Sequence, residues 1–287
     1  MLHTEWSLVF FTTIAQWATG IMIAVLPFVF AKNSNGCTKL NRTALYFAAG
    51  LMVVALALSF LHLNNPLHSV YALSNLETSW LSREILFVSL FLFALVLVNF
   101  ILYFKKPAVK YYRAFIPGTA IVGVIMVYTM SKLYMIPTVP PWNIPSTLVE
   151  FYSTALLIGS AFVLGLSLHP FHKAAKTTQK VGQGSKTNVL VFITFLAVGF
   201  LLINVLFLNH PTTEANVGFE SEPVHPSFLV IRWGTILLGS VSVIFIIYKK
   251  HRLKNMSLVF YLPFVFFLIS ELIARAAFYA SFYRIGV

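Results

Sequence analysis

The sequence predicts an all-α integral membrane protein that folds as one domain, a bundle of eight transmembrane helices. Of its 287 residues, 59% are hydrophobic and only 10% are charged, and the mean hydropathy is +0.84. Soluble domains carry about 25% charged residues. Apolar runs of about 20 residues are long enough to cross a bilayer as helices, which satisfy their own backbone hydrogen bonds. The sequence lacks the short alternating segments that are typical of a β-barrel.

Eight apolar segments are candidate spans. They cover residues 8–31, 43–61, 84–104, 114–134, 148–168, 188–208, 227–248 and 257–282. An even number of crossings places both ends of the protein on one side of the membrane. The first segment follows no basic region and precedes no clear cleavage site, so we expect a retained span and not a signal peptide.

Basic residues concentrate in the connections that follow the first, third, fifth and seventh spans. These connections hold 15 of the 20 lysines and arginines, whereas all eight acidic residues are glutamates and none lies there. Positive charge marks cytoplasmic connections. The sequence therefore predicts an N-out, C-out topology, and the net charge of +12 indicates orientation in a membrane and not nucleic-acid binding.

Cysteine and histidine usage argues against a metal centre held by this protein alone. Cys37 is the only cysteine, so an intrachain disulfide, a cysteine-bound iron–sulfur cluster or a structural zinc site cannot be built without a partner. Haem ligation would need histidines inside spans at matching depth, whereas the eight histidines fall at span ends or in connections. We therefore expect no haem, and any cluster would belong to a partner.

The connection between the second and third spans carries the densest set of chemically useful side chains. Residues 60–86 read FLHLNNPLHSVYALSNLETSWLSREIL. His62 ends the second span, and a neutral imidazole there can accept a proton from a hydroxyl group that is hydrogen-bonded to it. Glu84 opens the third span and is a second candidate proton acceptor. Both have structural alternatives, since an interfacial histidine is often structural, and Ser82 and Glu84 suit a helix N-cap and first turn.

Three further ionisable residues lie within the last two spans, where a charge at mid-bilayer costs roughly 2.5–3.5 kcal/mol. Glu271 and Arg275 are four residues apart and share one helix face. They either neutralise one another as a structural bridge or belong to a functional site. Arg232 lies little more than a turn inside the seventh span, and it either joins that site or extends to the membrane surface.

Five segments distributed over the whole sequence carry a family resemblance. They are HTEWSLVFFTTIAQWATG, LHLNNPLHSVYALSNLETSWLSREI, TVPPW, the RW at positions 232–233, and SELIARAAFY. In this order and spacing they resemble the membrane anchor subunit of anaerobic dimethyl sulfoxide reductases. The sequence departs from that family's pattern at Asn64, Ser270 and Ala274, where the family often has glycine.

The resemblance implies a three-subunit oxidoreductase of anaerobic respiration in the bacterial inner (cytoplasmic) membrane, with both termini of the anchor periplasmic. A molybdopterin catalytic subunit would reduce the terminal acceptor, and an iron–sulfur subunit would carry electrons to it. The anchor would bind and oxidise menaquinol, while iron–sulfur clusters and molybdopterin stay in the partner subunits. The family's quinol-associated His and Glu match His62 and Glu84.

We expect the quinol site at the outer ends of the second, third, seventh and eighth spans. Arg232, Glu271 and Arg275 would then set its electrostatics and hold it together. Two alternatives remain open, a purely structural anchor without a quinol site and a small-molecule or ion transporter. A transporter would place buried charges along a path to both surfaces, whereas here they gather toward one side.

Overall fold

The computed structural model describes residues 6–30, 35–61, 69–104, 109–169, 180–208, 226–249, 252–253 and 256–282. Within these ranges all regular secondary structure is helical, and eight helices are long and apolar enough to cross a membrane. The predicted all-α fold with eight candidate spans is confirmed. The N-out, C-out orientation stays a prediction.

The helices follow one another with short irregular turns between some of them. They are α1 (Trp6–Val29), α2 (Asn35–Phe60), α3 (Ser69–Ala72), α4 (Trp80–Phe104), α5 (Val109–Tyr134), α6 (Pro145–Leu168), α7 (Lys180–Ile203), α8 (Pro226–Lys249) and α9 (Leu262–Ala280). Two 3-10 turns, Leu73–Asn75 and Ser257–Tyr261, precede α4 and α9, and a π-helical turn, Asn204–Leu208, extends α7. All but α3 correspond to the eight predicted spans.

The third predicted span begins earlier than the sequence indicated. Its helix, α4, starts at Trp80, and Oγ of Ser79 accepts a hydrogen bond from the backbone N–H of Ser82 at 3.3 Å, as an N-cap does. The structural alternative in which Ser82 caps this helix is therefore not the arrangement in the structure, where Ser79 has that position. Glu84 lies beyond the first turn, where the helix dipole has little influence, and its side chain is buried.

α1 and α6 form the centre of the bundle. In α6 the most apolar stretch is 89% buried and in α1 72%, whereas in α2, α4, α7 and α8 it is 28%. The two central helices approach closely because Gly20 faces Ala155 and Gly159, and a Cβ on either glycine would overlap the opposite backbone. Small residues permit such contacts between membrane helices. The outer helices expose apolar faces, as lipid contact requires.

Side-chain contacts gather the start of α1, the end of α5, the start of α6 and the end of α9 at one end of the bundle. Tyr279 of α9 bonds to Tyr134 of α5 and also contacts Thr12 of α1. Trp142, just before α6, donates from Nε1 to the Phe278 carbonyl at 2.8 Å. We call this the N-terminal end of the bundle. α1 and α6 therefore run in the opposite direction to α5 and α9, as expected for odd- and even-numbered membrane crossings.

Candidate functional site

Four of the five predicted site residues lie in the described part of the protein. Glu84, Arg232, Glu271 and Arg275 are all buried. Glu84, Arg232 and Arg275 lie toward the N-terminal end of the bundle, whereas Glu271 lies near the middle of α9. At 1.5 Å per residue, Glu84 lies about 6 Å along α4 from its start and Glu271 about 13 Å along α9 from its end. His62 lies outside the described residues, so its placement opposite Glu84 stays a prediction.

Arg232 of α8 is held inside the bundle by an ion pair. Its Nη1 lies 3.2 Å from Oε1 of Glu150 on α6, and the two side chains are 10% and 22% exposed. This contact favours a buried role over extension to the membrane surface. Glu150 was predicted to lie near the outer surface but was not among the predicted site residues.

Glu271 of α9 is tied to α6 by a short hydrogen bond. Oγ1 of Thr154 donates to Oε2 of Glu271 at 2.6 Å, and the same hydroxyl lies 2.8 Å from the Glu150 carbonyl. Oε1 of Glu271 has no hydrogen-bond partner among the described residues. The carboxylate also interacts electrostatically with Arg232 and Arg275. Thr154 thus ties Glu271 of α9 to α6, one helical turn from Glu150.

Arg275 contacts α1 and α6 and does not close on Glu271. Its Nη2 donates to Oε1 of Gln16 at 2.9 Å, and its Cζ lies 3.8 Å from the ring centre of Phe151, a cation–π contact. Within the described ranges no ion pair closer than 4.0 Å joins Arg275 to Glu271. The spacing of four residues correctly placed both on one face, but their direct contacts are to other helices. Nε and Nη1 of Arg275 lack hydrogen-bond partners in that region.

A buried pair of tyrosines lies beside these charges. Tyr279 donates from its hydroxyl to that of Tyr134 at 2.7 Å, and the two residues are 2% and 7% exposed. Their rings pack in an aromatic group with Trp142 and Phe278. Both tyrosines interact electrostatically with Glu84 and with Arg275. The pair therefore lies in the same electrostatic environment as Glu84 of α4 and Arg275 of α9.

Glu84 differs from Glu271 in having no arginine among its electrostatic partners in the described part of the protein. It is 5% exposed in an apolar helix, and its Oε1 has no hydrogen-bond partner among the residues that the structure describes. A buried acceptor without a donor costs about 1–3 kcal/mol, and more when it is charged. Such a group is suited to bind a donor from a ligand and to take its proton.

Five members of this group were not among the predicted site residues, namely Gln16, Tyr134, Glu150, Thr154 and Tyr279. The site was expected among the second, third, seventh and eighth spans, whereas the described contacts also involve α1, α5 and α6. The available signal was polarity inside apolar segments, since Gln16 and Thr154 stand in the two most buried helices. Polarity alone could not say which helices would meet.

Metal-binding side chains are sparse in the same part of the protein. The described residues contain no group of three or more His, Cys, Asp or Glu side chains placed to hold a metal ion. Of the eight histidines, His169 alone falls within the described ranges. The expectation that this protein holds no haem therefore stays a prediction.

Comparison with known proteins identifies the family. The family model for the DMSO reductase anchor subunit (DmsC) matches residues 1–281. The protein is 25% identical over 284 residues to the anaerobic dimethyl sulfoxide reductase chain YnfH of Escherichia coli, and the match covers 99% of this sequence and 96% of that one. It is 26% identical over 286 residues to one of the anaerobic dimethyl sulfoxide reductase chains of Haemophilus influenzae, with the same coverage. The predicted resemblance is confirmed, and the chain belongs to the DMSO reductase anchor subunit family.

Proposed function

We propose that this anchor subunit binds menaquinol beside Glu84, oxidises it and passes the electrons to an iron–sulfur subunit. The observation that carries the proposal is the buried Glu84 carboxyl, whose Oε1 lacks a hydrogen-bond partner in the described part of the protein. Ionisable residues inside membrane spans are expensive and mark functional sites by default. A quinol hydroxyl would supply the missing donor and the proton.

The other buried charges support this assignment because two glutamates and two arginines neutralise one another. Glu150 and Glu271 are matched by Arg232 and Arg275 through a direct ion pair and through electrostatic interactions. Glu84 does not neutralise either arginine. Its charge can therefore change during turnover without leaving Arg232 or Arg275 unpaired. In this proposal the four paired residues hold the helices around the site and set its electrostatics.

His62 is proposed as the second group that contacts the quinol. It precedes Glu84 by 22 residues, across the connection that contains α3. An imidazole can accept the proton of one quinol hydroxyl while Glu84 accepts that of the other. Oxidation of a quinol releases two protons and two electrons, so two acceptors on the protein match the proton count.

The electrons would leave through a partner docked at the N-terminal end of the bundle. We propose that this partner carries iron–sulfur clusters and passes electrons on to a molybdopterin subunit that reduces the terminal acceptor. The protons would leave on the same side, and the distribution of basic residues supports the proposal that this is the periplasmic side of the bacterial inner membrane. The buried glutamates and arginines among the described residues lie between the N-terminal end and the middle of the bundle. This distribution disfavours a transporter, whose path must reach both surfaces.

The test is quinol oxidation by membranes that contain the assembled complex. His62→Ala and Glu84→Gln should each lower the rate by about 10²-fold or more, the usual contribution of a positioned acid–base group. Glu77→Gln is the matched control, since Glu77 is exposed in the same connection. Wild-type rates in both His62→Ala and Glu84→Gln would refute the site. Assembly of the wild-type complex without quinol oxidation would instead support a purely structural anchor.

A further inference from the structure

We propose that Trp80 forms a wall of the Glu84 site that packs against the ring of the quinol, and that Arg83 holds Trp80 in place. The proposal rests on the proposed function and deepens it, because it names a second feature of the ligand that the site recognises, a planar aromatic ring. Neither residue was among the predicted site residues.

Helix geometry places Trp80 beside Glu84. Trp80 is the first residue of α4, and Glu84 lies four residues later on the same face of the helix. Helical side chains lean toward the N-terminus of their helix, so the Glu84 side chain lies over the turn that begins with Trp80. Glu84 is 5% exposed, whereas Trp80 is only partly buried. A ligand that comes from the start of α4 therefore meets the Trp80 ring before it reaches the Glu84 carboxyl.

The Trp80 ring is held by contacts with two neighbouring side chains. Cζ of Arg83 lies 4.3 Å from the centre of the ring, a cation–π contact. The Tyr128 ring of α5 packs against Trp80 edge to face, with 5.9 Å between the ring centres and 78° between the ring planes. These contacts fix the orientation of the ring before a ligand arrives, so less conformational entropy is lost when a ligand packs against it.

Arg83 is itself held by the backbone of the connection that precedes α4. Its Nε donates to the Leu76 carbonyl at 2.9 Å, and its Nη2 donates to the Glu77 carbonyl at 2.6 Å. A planar guanidinium can bind two carbonyls and stack on an indole at the same time, whereas an ammonium group is a compact point charge. The guanidinium therefore connects the backbone of the connection to the Trp80 ring.

A structural explanation accounts for only part of this arrangement. Tryptophans collect at membrane surfaces, which explains a tryptophan at the start of α4. It does not explain why an arginine that is anchored by two carbonyls fixes the orientation of the ring. A binding site explains both features, because its contact residues are held by their neighbours in the geometry that the ligand requires.

An aromatic wall suits the headgroup of a quinol. The ring of a quinol is planar and mostly apolar, and its hydroxyl groups lie in the plane of the ring. A quinol whose hydroxyl donates to Glu84 can therefore pack its ring against Trp80, one helical turn away, in an offset-stacked or edge-to-face contact. Glu84 would recognise the hydroxyl and Trp80 the ring.

The test measures KM and kcat for oxidation of a naphthoquinol analogue of menaquinol by the assembled complex. Trp80→Leu should raise KM about three- to tenfold, the effect of losing one aromatic contact. The value of kcat should change less than about twofold, because the ring binds the headgroup without taking its protons. Trp80→Phe keeps an aromatic ring and should restore part of the affinity. Trp6→Leu is the matched control and should leave KM unchanged, since Trp6 is likewise the first residue of a helix and is 45% exposed.

A double-mutant cycle tests whether Arg83 acts through Trp80. Arg83→Gln alone should raise KM about threefold with kcat unchanged, because the ring loses the cation that orients it. In the Trp80→Leu background the same change should have no further effect on KM. Equal effects of Arg83→Gln in both backgrounds would overturn the positioning role of Arg83.

The outcomes separate the aromatic wall from the proposed function. A wild-type KM in Trp80→Leu, together with a low rate in Glu84→Gln, would overturn the wall and leave the quinol site at Glu84. A wild-type rate in Glu84→Gln would count against the proposed function, whatever the Trp80 variants do. An equal rise in KM for Trp6→Leu, or failure of both Trp80→Leu and Trp80→Phe to assemble, would assign the ring a structural role and also overturn the wall.

Discussion

Replacing Arg232 with methionine should destabilise the protein, because it leaves the Glu150 carboxylate partly buried without its partner. Breaking a fully buried ion pair costs about 3–5 kcal/mol. The Glu150 side chain is 22% exposed and the contact, at 3.2 Å, is longer than a short charge-assisted hydrogen bond. We therefore expect a smaller loss, about 2 kcal/mol in the free energy of unfolding.

A double-mutant cycle isolates this interaction. Glu150→Gln alone should cost less than Arg232→Met, because Glu271 still interacts with the arginine. The double variant should be more stable than the sum of the single losses predicts, by about 1–2 kcal/mol. Unfolding of the purified complex, followed in detergent with increasing SDS, measures each value.

The control is Arg252→Met, at an exposed position, which should change stability by less than about 0.5 kcal/mol. Additive single effects, with a coupling below about 0.5 kcal/mol, would refute a direct and energetically significant contact between Arg232 and Glu150.

Three further predictions follow from the packing, the cation and the charge distribution. Gly159→Ala should lower stability by about 1–3 kcal/mol because the added Cβ overlaps Gly20. Gly118→Ala is the control and should leave stability unchanged, because its Cβ meets nothing within 4 Å. Equal losses of stability in SDS unfolding would argue against the close α1–α6 contact. Arg275→Lys keeps the charge but loses the planar group stacked on Phe151, so quinol oxidation should fall severalfold, and an unchanged rate would exclude a requirement for the guanidinium. Reporter fusions should place the connections that follow the first, third, fifth and seventh spans in the cytoplasm, and the reverse pattern would contradict the predicted topology.

The spans could be predicted from the sequence because the bilayer imposes length and apolarity on every crossing segment. Their ends were harder to predict, since caps depend on single residues. Ser79 and not Ser82 caps α4, which moved Glu84 from the first turn into the buried part of the helix. That shift removes the capping explanation for Glu84 and leaves its Oε1 buried without a hydrogen-bond partner among the described residues.

The site was predicted in part for a similar reason. The position of a residue along a span can be inferred from the span boundaries in the sequence. Arg232, Glu271 and Arg275 were therefore expected toward one end of the bundle. Which helices pack together is not readable from apolar periodicity, since lipid-facing and helix-facing side chains are both apolar. Glu150 and Gln16 were missed because their partners lie on helices far away in sequence.

Direct binding of a quinol-site inhibitor tests the central claim, that Glu84 holds the quinol headgroup. A fluorescent inhibitor would be titrated into membranes with the assembled complex, for wild type, Glu84→Gln and the exposed control Glu77→Gln. A hydrogen bond to a charged group contributes about 1.5–3 kcal/mol, so Kd in Glu84→Gln should rise by about tenfold or more, with no change in Glu77→Gln. Equal Kd values for wild type and Glu84→Gln would contradict the claim.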